Sequence, residues 1–197
     1  AFLKPVATWD QRRTTAQRSL LQAAKYAAGH RRVLALIGLN VLIWASAAVV
    51  SSGIMGLAKQ FYGLQGDALL GQFTLISAVL GIGMLVGAGA IILIQTRRES
   101  TTVCMVALLG AGVCITTMAT TPVLWSTYAT ALLLGVCANM AIITLMTLLQ
   151  SITPNYVRGR VMGLNSLTNT LFSVLTYLAI WQLPRADTNI VMVMYGL

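Results

Sequence analysis

The residues of this chain able to do chemistry lie mostly inside long apolar runs, and there they carry no charge. Asn40, Trp44 and Ser51 fall in the first run, and Gln72 opens the second. Tyr128, Asn139 and Gln150 fall in the fourth, with Asn165, Asn169, Phe172 and Thr176 in the fifth. On a helix, positions eleven apart lie three turns along one face, so Tyr128, Asn139 and Gln150 form a stripe. Asn165 and Asn169, four apart, begin another, and Asn40 with Trp44 begins a third. In hydrocarbon, a polar side chain must face protein or a water-filled cavity. Three such stripes imply a shared amphiphilic cavity. The plainer reading of any single amide is a hydrogen bond to a neighbouring helix, worth about 0.6 kcal/mol on average.

The most specific string runs from Thr153 to Gly163 and holds Pro154, Arg158, Gly159 and Arg160 between the fourth and fifth runs. Pro154 cannot continue the hydrogen bonding of the preceding helix and disfavours a helical Thr153, so that helix ends there. Each arginine costs about 2.5 to 3.5 kcal/mol at the bilayer centre, which holds the segment at a membrane surface. Gly159 permits a tight turn between them. Two roles stay open: a topology anchor, or a gating latch whose guanidinium groups bond carbonyls at the ends of neighbouring helices.

Other chemistries lack their residues. No Asp, Glu, Lys or Arg falls inside the apolar runs, so this chain offers no intramembrane carboxylate as a proton relay. If the protein is proton-coupled, the titrating group lies elsewhere in the full chain. His30 is the lone histidine, and Cys104, Cys114 and Cys137 all lie inside apolar runs. No metal-binding set and no cofactor are expected. Cys104 and Cys114 on one helix stand roughly 15 Å apart by helical rise, too far to bridge, and read as small buried hydrophobes. With no Ser and His pair and no paired carboxylates, an enzyme is not expected.

The elements that must position these residues follow from composition. The 197 residues are 57% hydrophobic and 9% charged, with a mean hydropathy of +0.81, which excludes an ordinary water-soluble domain. The formal charge of +9 does not signal nucleic acid, because the basic residues cluster at run ends without interleaved aromatics. Spans are expected at about 33–52, 69–95, 102–119, 124–150 and 161–182, with the start of a sixth at 189–197. Within the second, Gly83 and Gly87 form a small-xxx-small pair of the kind that lets helices touch. Residues 1–32 read as a basic linker with an amphipathic helix from about Thr14, either on the membrane surface or solvated. Eleven Lys and Arg fall on one side of this layout and two, Lys59 and Arg185, on the other. The eleven-residue side, which includes residues 1–32 and the 151–160 loop, is therefore expected in the cytoplasm of a multi-pass cell (inner) membrane protein. Without a Met at the start, an incomplete chain is expected.

A resemblance now enters. The Leu20 to Tyr26 segment ahead of the first span, the glycine-rich second span, and Gln150 through Gly163 with its Arg158, Gly159, Arg160, Val161, Met162 string resemble the major facilitator superfamily. The nearest branch resembles bacterial efflux proteins that include enterobactin-type siderophore exporters and macrolide efflux pumps. The resemblance implies the carboxyl-terminal half of a 12-helix transporter, with the five spans as the seventh to eleventh helices and an amino-terminal six-helix half as the missing partner. It also implies that the ninth helix is peripheral. One departure stands out: the family often has an acidic residue four positions after the glycine matched by Gly89, where this chain has Leu93, with Arg97 and Arg98 retained. That moves a candidate latch to Arg158 and Arg160.

The expectation is thus an all-α transmembrane helical bundle in the lipid bilayer. Its function would be alternating-access efflux of a small amphiphilic compound, drug or siderophore-like. The pathway residues are Asn40, Trp44, Gln72, Tyr128, Asn139, Asn165, Asn169 and Phe172, and the cytoplasmic gating loop is Pro154, Arg158, Gly159 and Arg160. Lysolipid or lipid flipping is an alternative transport reading. A non-transporting membrane scaffold or degenerate fragment, whose polar stripes only join helices, is the reading from another class.

Overall fold

In a computed structural model, the chain is described over residues 21–61, 66–95, 100–121 and 123–182. Among these residues the chain is helical apart from short connections. A short helix α1 covers 21–29 and breaks at His30, followed by α2 (Arg31–Phe61), α3 (Gly66–Gln95), α4 (Ser100–Thr120), α5 (Leu124–Ile152) and α6 (Asn155–Gln182). The expected sixth span at 189–197, most of the basic linker, and Arg97 and Arg98 lie outside the described residues.

Four of these helices, α2 to α5, are long and apolar enough to cross a membrane. Their stretches are Arg31–Ile54, Gly66–Ile94, Thr101–Thr120 and Leu124–Ile152. The expected spans 33–52, 102–119 and 124–150 fall within three of these stretches and 69–95 runs one residue past Ile94, differences of the size expected where helix ends meet water or a cap. The fifth expected span, α6, has 28 residues and is long enough for a core of about 30 Å. Its apolar content is diluted by Asn165, Ser166, Thr168, Asn169 and Thr170.

Three helix pairs dominate the packing: α5 runs along α3 and along α4, while α2 runs along α6 and also touches α3 and α5. Small residues make the first pair possible. A Cβ at Gly83 would collide with the Leu132 carbonyl, one at Gly87 with backbone atoms of Val136, and one at Gly135 with the Leu80 carbonyl. Helix α3 and α5 backbones therefore touch, which is how helices gain packing energy in lipid, where apolar burial offers little. Gly110 of α4 makes a looser version of this contact: its Cβ would lie 2.9 Å from Cys137 Sγ on α5. The bulky side chains point the other way. Leu85, Leu93, Leu109 and Val113 are exposed, as bulky apolar side chains facing lipid are.

Two buried clusters fix the ends. At one end Val50, Ile54, Ile76, Cys114, Met118, Ala131 and Leu134 join α2, α3, α4 and α5. At the other, Ala23 and Ala27 of α1 meet Val33, Ile37 and Val41 of α2, Leu149 of α5, and Val157 and Val161 of α6. Ala23 and Ala27 of α1 thus pack on protein, while Ala24 is exposed. Alanine adds little apolar area, but it lets one helix lie close across the ends of others.

Candidate functional site

The segment expected as a gating loop is mostly helix. Only Thr153 and Pro154 separate α5 from α6. Thr153 is extended (φ −97, ψ 121) and 1% exposed, its Oγ1 donating to the Leu149 carbonyl at 2.6 Å. The Pro154 carbonyl accepts from the Val157 and Arg158 backbone N–H groups, so proline starts the new helix where its missing N–H costs nothing. Arg158, Gly159 and Arg160 fall in the first two turns of α6. Gly159 does not hold a left-handed conformation, and a Cβ there would meet nothing within 4 Å. The tight turn expected of it is corrected: two residues suffice for the connection, and both arginines project from a helix. Arg158 Nε donates to the Thr153 carbonyl at 3.3 Å, bonding the extended residue that ends α5. Arg160 Nη1 donates to Gln22 Oε1 of α1.

The polar residues of the spans cross-link helices. Asn40 of α2 and Asn165 of α6 are 1% and 0% exposed, and Asn40 Nδ2 donates to Asn165 Oδ1 at 3.1 Å. Asn165 Nδ2 reaches Met146 Sδ of α5 at 3.7 Å, so one amide pair touches three helices. One turn along, Asn169 is 7% exposed. Its Oδ1 and that of Asn40 are buried without a hydrogen-bond partner. Two acceptors in this state leave free energy unspent, because a buried carbonyl oxygen without a donor bears its desolvation cost. Between α3 and α5, Tyr128 donates its hydroxyl to Gln72 Oε1 at 2.7 Å, and Asn139 Nδ2 donates to the Met84 carbonyl at 2.6 Å. Trp125 packs edge-on against Tyr128 with ring centroids 6.4 Å apart. Phe172 is exposed, and Thr176 only returns a bond to the Phe172 carbonyl on its own helix.

A cavity of about 420 Å³ lies between α2, α3, α4 and α5. Trp44, Ser46, Ser51, Met84 and Ile142 are among its walls, the rest being aliphatic or small. Ser46 and Ser51 spend their hydroxyl protons on the Leu42 and Ala47 carbonyls, so the lining behaves as apolar. Of the expected pathway residues, only Trp44 lines this space. This cavity is thus a different space from the one expected between the first, fourth and fifth spans. Each of the amides Asn40, Asn139 and Asn165 reaches a neighbouring helix, and α4, expected at the periphery, supplies one wall. Sequence reasoning missed Gly135, Met146 and Gln22. A lone glycine in an apolar run signals the first; nothing in the pattern singles out the other two.

The comparisons with known proteins bear on the whole chain. No curated protein matches it. A family model described as Major Facilitator Superfamily matches residues 2–177. The match takes in every described helix but the last turn of α6, and it agrees with a bundle whose apolar helices are joined by glycine contacts and uncharged amides. The chain belongs to the Major Facilitator Superfamily, a family of multi-pass membrane transporters.

Proposed function

We propose that this bundle is the carboxyl-terminal half of an exporter that moves a small amphiphilic compound out of the cytoplasm by alternating access. The observation that carries the reading is the chemistry of the membrane interior. Within the apolar runs the polar groups are neutral amides and hydroxyls, and a cavity beside them is lined by Trp44, Met84, two serines and mostly aliphatic side chains. Such walls suit a cargo with adaptable apolar surface and a few hydrogen-bonding groups, and they give a strongly ionic cargo no partner. In this reading Asn40, Gln72, Tyr128, Asn139, Asn165, Asn169 and Phe172 exchange partners between helix and cargo as the bundle rocks against an amino-terminal six-helix half. Arg158 and Arg160 hold the cytoplasmic end closed through Thr153 and Gln22, with Pro154 and Gly159 setting their helix. A proton-coupled cycle would draw its titrating group from outside these spans. The aliphatic lining equally suits an acyl chain, so lysolipid flipping in the inner membrane is the second reading.

The test uses the complete transporter in cells. Asn139→Leu and Asn169→Leu are expected to abolish export of lipophilic dyes while membrane expression stays at the parental level. Unchanged export in both variants removes these amides from the pathway. Export of a labelled lysolipid in place of dyes would favour the second reading.

A further inference from the structure

The basic end of the bundle gathers more positive charge than anchoring alone uses. Helices α2 and α6 begin side by side there, since Val33 and Ile37 share one buried cluster with Val157 and Val161. Neither helix has an acidic residue in its first turn, so the positive ends of two helix dipoles lie in this region, beside the carboxyl ends of α1 and α5. Around them stand Lys25, Arg31, Arg32, Arg158 and Arg160, all exposed. Arg158 uses one N–H on the Thr153 carbonyl and Arg160 one on Gln22 Oε1, out of five on each guanidinium. Among the described residues the lone carboxylate is Asp67, at the start of α3 and hence at the opposite end of the bundle. No carboxylate among the described residues stands at this end of the bundle.

What surrounds the charge selects the partner. Leu21 and Tyr156 are 70% and 76% exposed among these cations, which places apolar and aromatic surface at the level of the charged groups. A soluble polyanion leaves such surface wet. A phospholipid covers it with its glycerol and upper acyl region while presenting a phosphate to the guanidinium groups. Planar guanidinium forks and paired helix amino termini both match phosphate oxygens.

We propose that the junction of α1, α2 and α6 is a binding site for the phosphodiester headgroup of an anionic phospholipid, held by Arg31, Arg32, Arg158 and Arg160 with Lys25 beside them. Bound there, the lipid neutralises the ends of α2 and α6 and bridges α1 to them, beside the Arg160 to Gln22 contact that already links α1 to α6. The site does not depend on the identity of the cargo or on the direction of transport.

The experiment uses the complete protein in phosphatidylcholine bilayers containing a minor fraction of spin-labelled phosphatidylglycerol. Its association constant is measured relative to spin-labelled phosphatidylcholine. The wild type should prefer the anionic lipid, and the preference should weaken by about fivefold for each charge removed in Arg31→Gln/Arg32→Gln and in Arg158→Gln/Arg160→Gln. Arg158→Lys/Arg160→Lys, which keeps the charge, should retain most of it, and this also controls for misfolding. Arg97→Gln/Arg98→Gln removes the same charge at another connection and should leave the preference unchanged. An equal loss in all the glutamine pairs would mean diffuse surface charge and overturn the proposal, as would a wild type without preference. Displacement of the lipid by soluble polyglutamate or by an RNA oligonucleotide would assign the surface to a polyanion and overturn it as well.

Discussion

Asn40 and Asn165 carry the polar chemistry of the α2 and α6 interface between them. Asparagine inside a membrane helix is costly unless its amide is engaged, and each here is almost fully enclosed. The stabilisation on offer is small: coupling between buried polar pairs in membrane helices averages about 0.6 kcal/mol and reaches about 1.7. A double-mutant cycle of Asn40→Leu and Asn165→Leu, read by unfolding in mixed micelles, is expected to return a coupling in the upper part of that range, because Asn165 also touches Met146. Additive effects would show that the amides do not act as a pair. At this scale the sequence was partly legible. Helical spacing placed Asn165 and Asn169 on one face, and both are buried. Which residue each amide meets was not legible, because Asn40 and Asn165 are 125 positions apart and spacing within one helix carries no information about its neighbour.

Among the elements, α3 and α5 are joined by backbone contact, and glycine is what the contact requires. The Gly83 and Gly87 pair was readable from its spacing of four, a pattern that exists because small residues must recur once per turn to keep one face flat. Gly135, which completes the contact from α5, pairs at the same spacing only with Ala131, a weaker signal than two glycines. Gly83→Ala is expected to cost about 1 to 3 kcal/mol, since the added methyl meets a backbone carbonyl that cannot move aside. Gly81→Ala and Gly89→Ala, where a Cβ meets nothing within 4 Å, should leave thermal stability in detergent unchanged. Equal stability of all three variants would show that α3 and α5 do not pack this closely. The helices themselves followed directly from the apolar runs. The least legible stretch was Thr153 to Gly163, where two arginines and a glycine look like a loop. Pro154 explains the difference: it ends one helix and opens the next, so the basic residues fall on α6.

At the scale of the whole molecule, composition alone excluded a soluble domain, and the family match covers most of the chain. The cavity between α2, α3, α4 and α5 was not legible, because it depends on which helix faces converge in three dimensions, and the uncharged stripes of α2, α5 and α6 do not point to it. What the arrangement still shares with the sequence reading is its chemistry: an interior with apolar walls, neutral amides and the basic groups gathered at the helix ends. That chemistry makes directional export of an amphiphile the central claim. The most direct measurement is uptake of a lipophilic dye into inverted membrane vesicles containing the complete transporter, under an imposed ion gradient. Saturable accumulation inside the vesicles, lost in Asn139→Leu, is the predicted result. Dye levels no higher than in vesicles without the transporter, with the protein present and folded, would contradict it.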